Sequence, residues 1–181
     1  MSSPPFKNIA IVGVSPHSSQ TAIKLTNNLH FQGGGNVGSA IIAALIANPH
    51  GFNITVLTRF ASISTSTFHT GITVKTVPDY ETLAPLVEAL KNQDVLICAL
   101  NDNATSLQLP LIHAALLAGV RRFIPSEFAS NEWTSPVPEL EPLIASKAAV
   151  RDLLVLKVKE AEGEAKEFHW TAINAGFFFD W

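Results

Sequence analysis

Cysteine is nearly absent. Cys98 stands alone among 181 residues, so no internal disulfide can form, and its place in an apolar run reads as a structural thiol. Charge is also scarce: Lys, Arg, Asp and Glu make up 15% of the chain and the net charge is -3. That balance gives no general attraction to nucleic acid or to an anionic membrane surface. No apolar run approaches the ~20 residues that cross a bilayer, and the opening "MSSPPFKN" lacks the apolar stretch of a signal peptide. A soluble, cytoplasmic protein with neither nucleic acid nor membrane as a partner is expected. Histidines at 17, 30, 50, 69, 113 and 169 show no metal-ligand spacing, and no metal site is expected.

What is present is apolar residue, 47% of the chain, enough for one domain over residues 1–181 with a largely buried sheet. Short β-branched runs alternate with helical patterns, the signature of a parallel α/β sheet with crossover helices. "IAIVG", "NITVLTR", "ITVKTV", "DVLICAL", "RRFIPSE" and "HWTAINA" read as six strands. Between them, residues 36–47 suit a helix packed tightly on a sheet. A second helix is expected to begin near Thr82, which leaves Pro85 in a first turn that needs no amide donor. A third stops at Gly119, a plausible C-cap, and a longer amphipathic helix runs from Leu143 to Glu162.

Between the first strand and the first helix, Gly13, Gly35 and Gly38 fall into a G-x-x-G-x-x-G pattern once residues 14–32 are set aside. Such glycines allow a tight turn and let backbone amides approach a pyrophosphate at a helix N-terminus. A doubly wound Rossmann domain inspects the adenosine ribose at the end of its second strand. Here that strand ends "TVLTR", with Arg59 where a carboxylate would select a free 2′-hydroxyl. A guanidinium offers forked donors to a 2′-phosphate, so NADP is the expected cofactor. The expected cofactor-binding set is Gly13, Gly35, Asn36, Val37, Gly38, Thr58 and Arg59. The following loop, "FASISTSTF", carries no second base, so the clamp is expected to rest on Arg59 and hydroxyls.

The glycine pattern with "VLTR", "DVLICAL", "RRFIPSEF" and "SKAAVRDLL" resembles the isoflavone reductase-like and NmrA-like group of atypical short-chain dehydrogenases. The resemblance implies NADPH-dependent reduction of a small, often aromatic substrate. It also implies that the lysine of Lys-x-x-Val-Arg, here Lys147, serves as acid/base beside the nicotinamide. The usual Tyr-x-x-x-Lys pair of short-chain dehydrogenases cannot form, because Tyr80 is the sole tyrosine and Ala84 follows it at that spacing. A lysine working alone needs burial or a nearby cation to tune it, and Arg151 lies one helical turn away. The same resemblance leaves a second function open, an NAD(P)-binding redox sensor that presents a surface to a transcription factor and turns nothing over, and a third reading is a truncated, inactive translation product. On the bare sequence, Lys147 reads equally as a solvated helix lysine.

Residues 14–32 are an anomaly, because strand-to-helix connections usually take ~2 to 6 residues. A lid or partner-binding loop is one explanation. The favoured one is a retained intron: Val14-Ser15 can be encoded GTGAGT, Leu25-Thr26 can contain CTAAC, and Gln32 can be CAG. These nineteen residues correspond to 57 in-frame nucleotides. The resemblance further implies a C-terminal substrate-binding portion after "NAGFFFDW", so a truncation before that portion is expected. Phe177, Phe178, Phe179 and Trp181 would then form an apolar patch that favours association.

Overall fold

The computed structural model describes residues 5–13, 36–59, 71–128 and 141–175. Six strands form one sheet: β1 Asn8–Val12, β2 Asn53–Thr58, β3 Ile72–Thr76, β4 Val95–Cys98, β5 Arg122–Ile124 and β6 His169–Trp170. Every pairing is parallel, in the order β3-β2-β1-β4-β5-β6. Helices α1 Asn36–Ala47, α2 Leu83–Leu90, α3 Gln108–Ala118 and α4 Glu141–Gly163 cover its faces, and a 3-10 turn at Asp102–Leu107 leads into α3.

The period-2 alternation of a strand sends successive side chains to opposite faces. In β1, Ala10 and Val12 join a core with Leu86 of α2, Leu111 of α3 and Val150 and Leu154 of α4, whereas Ile9 and Ile11 meet Ile42 of α1. Helices therefore lie on both sides, the doubly wound arrangement expected. Each fully buried Leu or Ile of this kind contributes roughly 1.5–3 kcal/mol.

Three strands are markedly shorter than the sequence suggests, and "DVLICAL" keeps only Val95–Cys98. "RRFIPSE" yields only Arg122–Ile124, because Pro125 has no amide to donate to a ladder. β6 then finds only Arg122 and Phe123 to pair with, and "HWTAINA" is reduced to His169–Trp170. The helix ends follow the sequence closely. Thr82 caps α2, although the carboxylate that receives the amides of Glu81 and Thr82 is that of Asp79. Gly119 ends α3 in the left-handed conformation, with φ 80.

Chain direction across the sheet reverses between β1 and β4. One route runs outward through β2 and β3, the other through β4, β5 and β6. Because all strands are parallel, their C-terminal ends share one edge, and a crevice opens there at the switch point between β1 and β4.

Candidate active site

Gly13 lies at that switch point. Its φ is +90, and a Cβ there would come within 2.3 Å of the Ala99 carbonyl oxygen. The end of β1 approaches the end of β4 so closely that only glycine fits. Asn36 opens α1, with Val37 half-buried and Gly38 buried behind it. Gly35 and residues 14–32 lie outside the described residues, as do the loop 60–70 and the aromatic residues from 177 onward.

At the end of β2, Thr58 is buried and its carbonyl oxygen accepts the Val77 amide at 2.9 Å. Arg59 is exposed, with its guanidinium carbon 5.2 Å from the centre of the Tyr80 ring. Tyr80 is itself buried and donates its hydroxyl to the Leu57 carbonyl oxygen at 2.9 Å. Burial pushes that phenol up to about 12, against a smaller opposing pull from Arg59, so Tyr80 is no proton carrier at neutral pH. The nearby Asp79 carboxyl is held below its ordinary range, chiefly by the amides of Thr82 and Glu81.

The alternative weighed on the bare sequence, a solvated helix lysine, does not fit the position of Lys147. On α4, Lys147 shares a buried stripe with Val150, Leu154 and Ala161, and it is 3% exposed. Its Nζ stands 3.9 Å from Asp102 Oδ1, on the turn after β4. Arg151 is one turn away as expected, but it faces an acid: Arg151 Nη1 lies 3.6 Å from Glu127 Oε1, and Glu127 is buried. The arrangement is therefore two cations from α4 matched by two carboxylates from the sheet's C-terminal edge, not one cation acting on another.

Sequence reasoning gave no role to Glu127, Asp102, Gln108 or Ser126. Gln108 is fully buried; its Oε1 accepts the Ser126 amide at 2.8 Å, and Ser126 Oγ donates to the Leu100 carbonyl oxygen at 2.6 Å. These bonds tie the ends of β4 and β5 together beside Lys147. A signal for them was available. Lys147 and Arg151 share spacing with apolar Val150 and Leu154, and two cations on a buried face require acids. Glu127, directly after a buried strand, is such an acid. Cys98 is buried as expected, and burial drives its thiol well above the ordinary range.

The sequence pattern of the NmrA-like family matches residues 29–180. Oxidoreductase aprR of Aspergillus flavus is 38% identical over 148 residues, 81% of this chain and 47% of that protein. The solved complex of leucoanthocyanidin reductase with NADPH, from Vitis vinifera, superposes with a TM-score of 0.64 at 17% identity, covering 92% of this chain and 49% of that one. Isoflavone reductase gives 0.62 at 23% identity, with 94% and 49% covered. The chain spans about half the length of these relatives. Their shared switch-point fold and a family pattern that covers most of the sequence lead to one conclusion: the chain belongs to the NmrA-like family.

Proposed function

We propose that this chain forms the cofactor-binding part of an NADPH-dependent reductase acting on a small, aromatic substrate. One observation carries the reading: the end of β2, at the edge where the switch-point crevice opens, presents Arg59 and no carboxylate. Among the described residues Arg59 has no ion-pair partner, so its donors suit a 2′-phosphate. Relatives described as oxidoreductases at 34% identity and above support the same class.

NADPH, when bound, supplies the hydride. Gly13 and the α1 start at Asn36, Val37 and Gly38 would hold its pyrophosphate, Gly35 would complete the turn, and Thr58 and Arg59 would receive the adenosine end. Lys147 Nζ, in a water-poor setting beside Asp102, would deliver the proton that balances the reduction. The Gln108 and Ser126 bonds keep the ends of β4 and β5 fixed relative to that nitrogen.

Residues 14–32 interrupt this site in our reading. The family pattern begins to match at residue 29, although β1 lies upstream and pairs as the fold's first strand. An insertion between the two would account for that late start.

The test is cofactor titration. Arg59→Ala should weaken NADPH binding by roughly 1 to 3 kcal/mol, the scale of a lost charge-assisted contact, and leave NADH nearly untouched. Equal losses for both cofactors would remove the basis of the proposal.

A further inference from the structure

Tyr80 occupies an unusual place for a core aromatic. Its ring belongs to the core cluster that also holds Val12, Leu57 and Leu86, its hydroxyl is anchored on the Leu57 carbonyl oxygen, and its ring carries the guanidinium of Arg59, the residue just after β2. A phenylalanine would fill the core space equally well. What the tyrosine adds is a ring pinned to the backbone of β2, and therefore fixed relative to the arginine that follows β2.

An exposed arginine samples many rotamers, and a ligand that needs one of them must offset that lost freedom. A second difficulty is local. Asp79, next to Tyr80 on the connection from β3 to α2, is close enough that Arg59 contributes to lowering its pKa, yet among the described residues the two form no ion pair. Stacking on a fixed aromatic face restrains the guanidinium and competes with its swing toward that carboxylate.

We infer that Tyr80 is a positioning residue for cofactor choice: its ring preorganises Arg59 for the 2′-phosphate and so raises the preference for NADPH over NADH. The inference rests on the reading that Arg59 receives that phosphate.

Calorimetric titration of the 181-residue chain with NADPH and with NADH tests it. Tyr80→Leu should weaken NADPH by about 5- to 10-fold, within the range of cation–π contacts, and NADH by less than about 2-fold. In an Arg59→Ala background, Tyr80→Leu should leave the ratio of the two affinities unchanged. A second measurement avoids any loss of folding. Because Tyr80 is the only tyrosine, growth on 3,5-difluorotyrosine alters this ring alone, draws charge from its face and keeps its shape. It should lower the affinity ratio by about 2-fold.

Parallel weakening of both cofactors by Tyr80→Leu, or an unchanged ratio in both the Leu variant and the fluorinated chain, overturns the role of Tyr80 while Arg59 keeps its own. Should Arg59→Ala spare NADPH, or should the unaltered chain take up no NADPH, the underlying reading falls and this one with it.

Discussion

The two edges of the sheet use charge in opposite ways. At the N-terminal edge, Asp94 Oδ2 accepts the amides of Lys7 and Asn8, both at 2.8 Å, while its Oδ1 takes Arg121 Nη2 at 3.0 Å. Arg121 also packs its guanidinium over the Phe6 ring at 4.6 Å. Burial alone would raise the Asp94 pKa, but these donors outweigh it and hold the carboxyl below its ordinary range. At the C-terminal edge the ion pairs are longer, 3.6 Å between Arg151 and the buried Glu127 and 3.9 Å between the buried Lys147 and the exposed Asp102. Arg59 there lies over a ring and, among the described residues, forms no ion pair. One edge fastens three segments of chain through a single carboxylate at normal hydrogen-bond length; at the other, the two ion pairs of α4 are longer than the Gln108 and Ser126 hydrogen bonds of the same edge. The chemistry we propose lies at the second.

The contrast can be broken most directly at Asp94. Asp94→Ala should cost about 3 kcal/mol of unfolding free energy, because two amides and a guanidinium lose their acceptor together, with NADPH affinity unchanged. The sign of its pH dependence follows from the lowered pKa: the contribution is complete above the unfolded value, near ~3.9, and disappears as pH falls through the folded one. Urea titrations from neutral pH downward should therefore show the gap between wild type and variant closing only in acid. A constant gap would mean that the carboxylate's charge is not what fastens this edge.

Lys147 gives the reverse test. In a chain extended by the C-terminal half found in its relatives, Lys147→Met should reduce NADPH-dependent turnover by ~100-fold. Stability should hold or rise, since an apolar side chain suits a buried stripe better than an ammonium. A large loss of stability with normal turnover would move Lys147 to the structural side of the comparison.

The smallest effect sharpens the C-terminal edge alone. Deleting residues 14–32 should tighten NADPH binding by about 10-fold, because a short, fixed turn between Gly13 and Gly35 aligns the first amides of α1. Equal fluorescence titrations for the two chains would make the segment a tolerated or functional loop.

Much of the fold was legible because its signals are local. Six β-branched runs, the start of α2 at Thr82 and the glycine stop at 119 depend on nearest neighbours. The overestimate of β5 has a local cause, Pro125, which was visible; its effect on the neighbouring strand β6 was not. Placement was legible where an element alone decides it, as for Gly13 at the end of β1 and Arg59 just after β2. It was not legible where partners come from different elements. Nothing near Lys147 in sequence announces Asp102, and nothing near Arg59 announces the Tyr80 ring, since both meetings arise only when the crossovers are complete.

The position of β1 between β2 and β4 bears on how the chain folds. As the innermost strand, β1 must be matched on both sides before the sheet exists, and its link to β2 is the forty residues 13–52. Without residues 14–32 that link would be twenty-one residues. Closing a loop of nearly twice the length costs only ~0.6 kcal/mol in chain entropy, which slows the search roughly threefold if that pairing limits the rate. An insertion at the heart of the sheet is therefore nearly invisible to folding. A chain altered there can reach its native strand order on much the same timescale, and quality control that reads exposed core would let it pass.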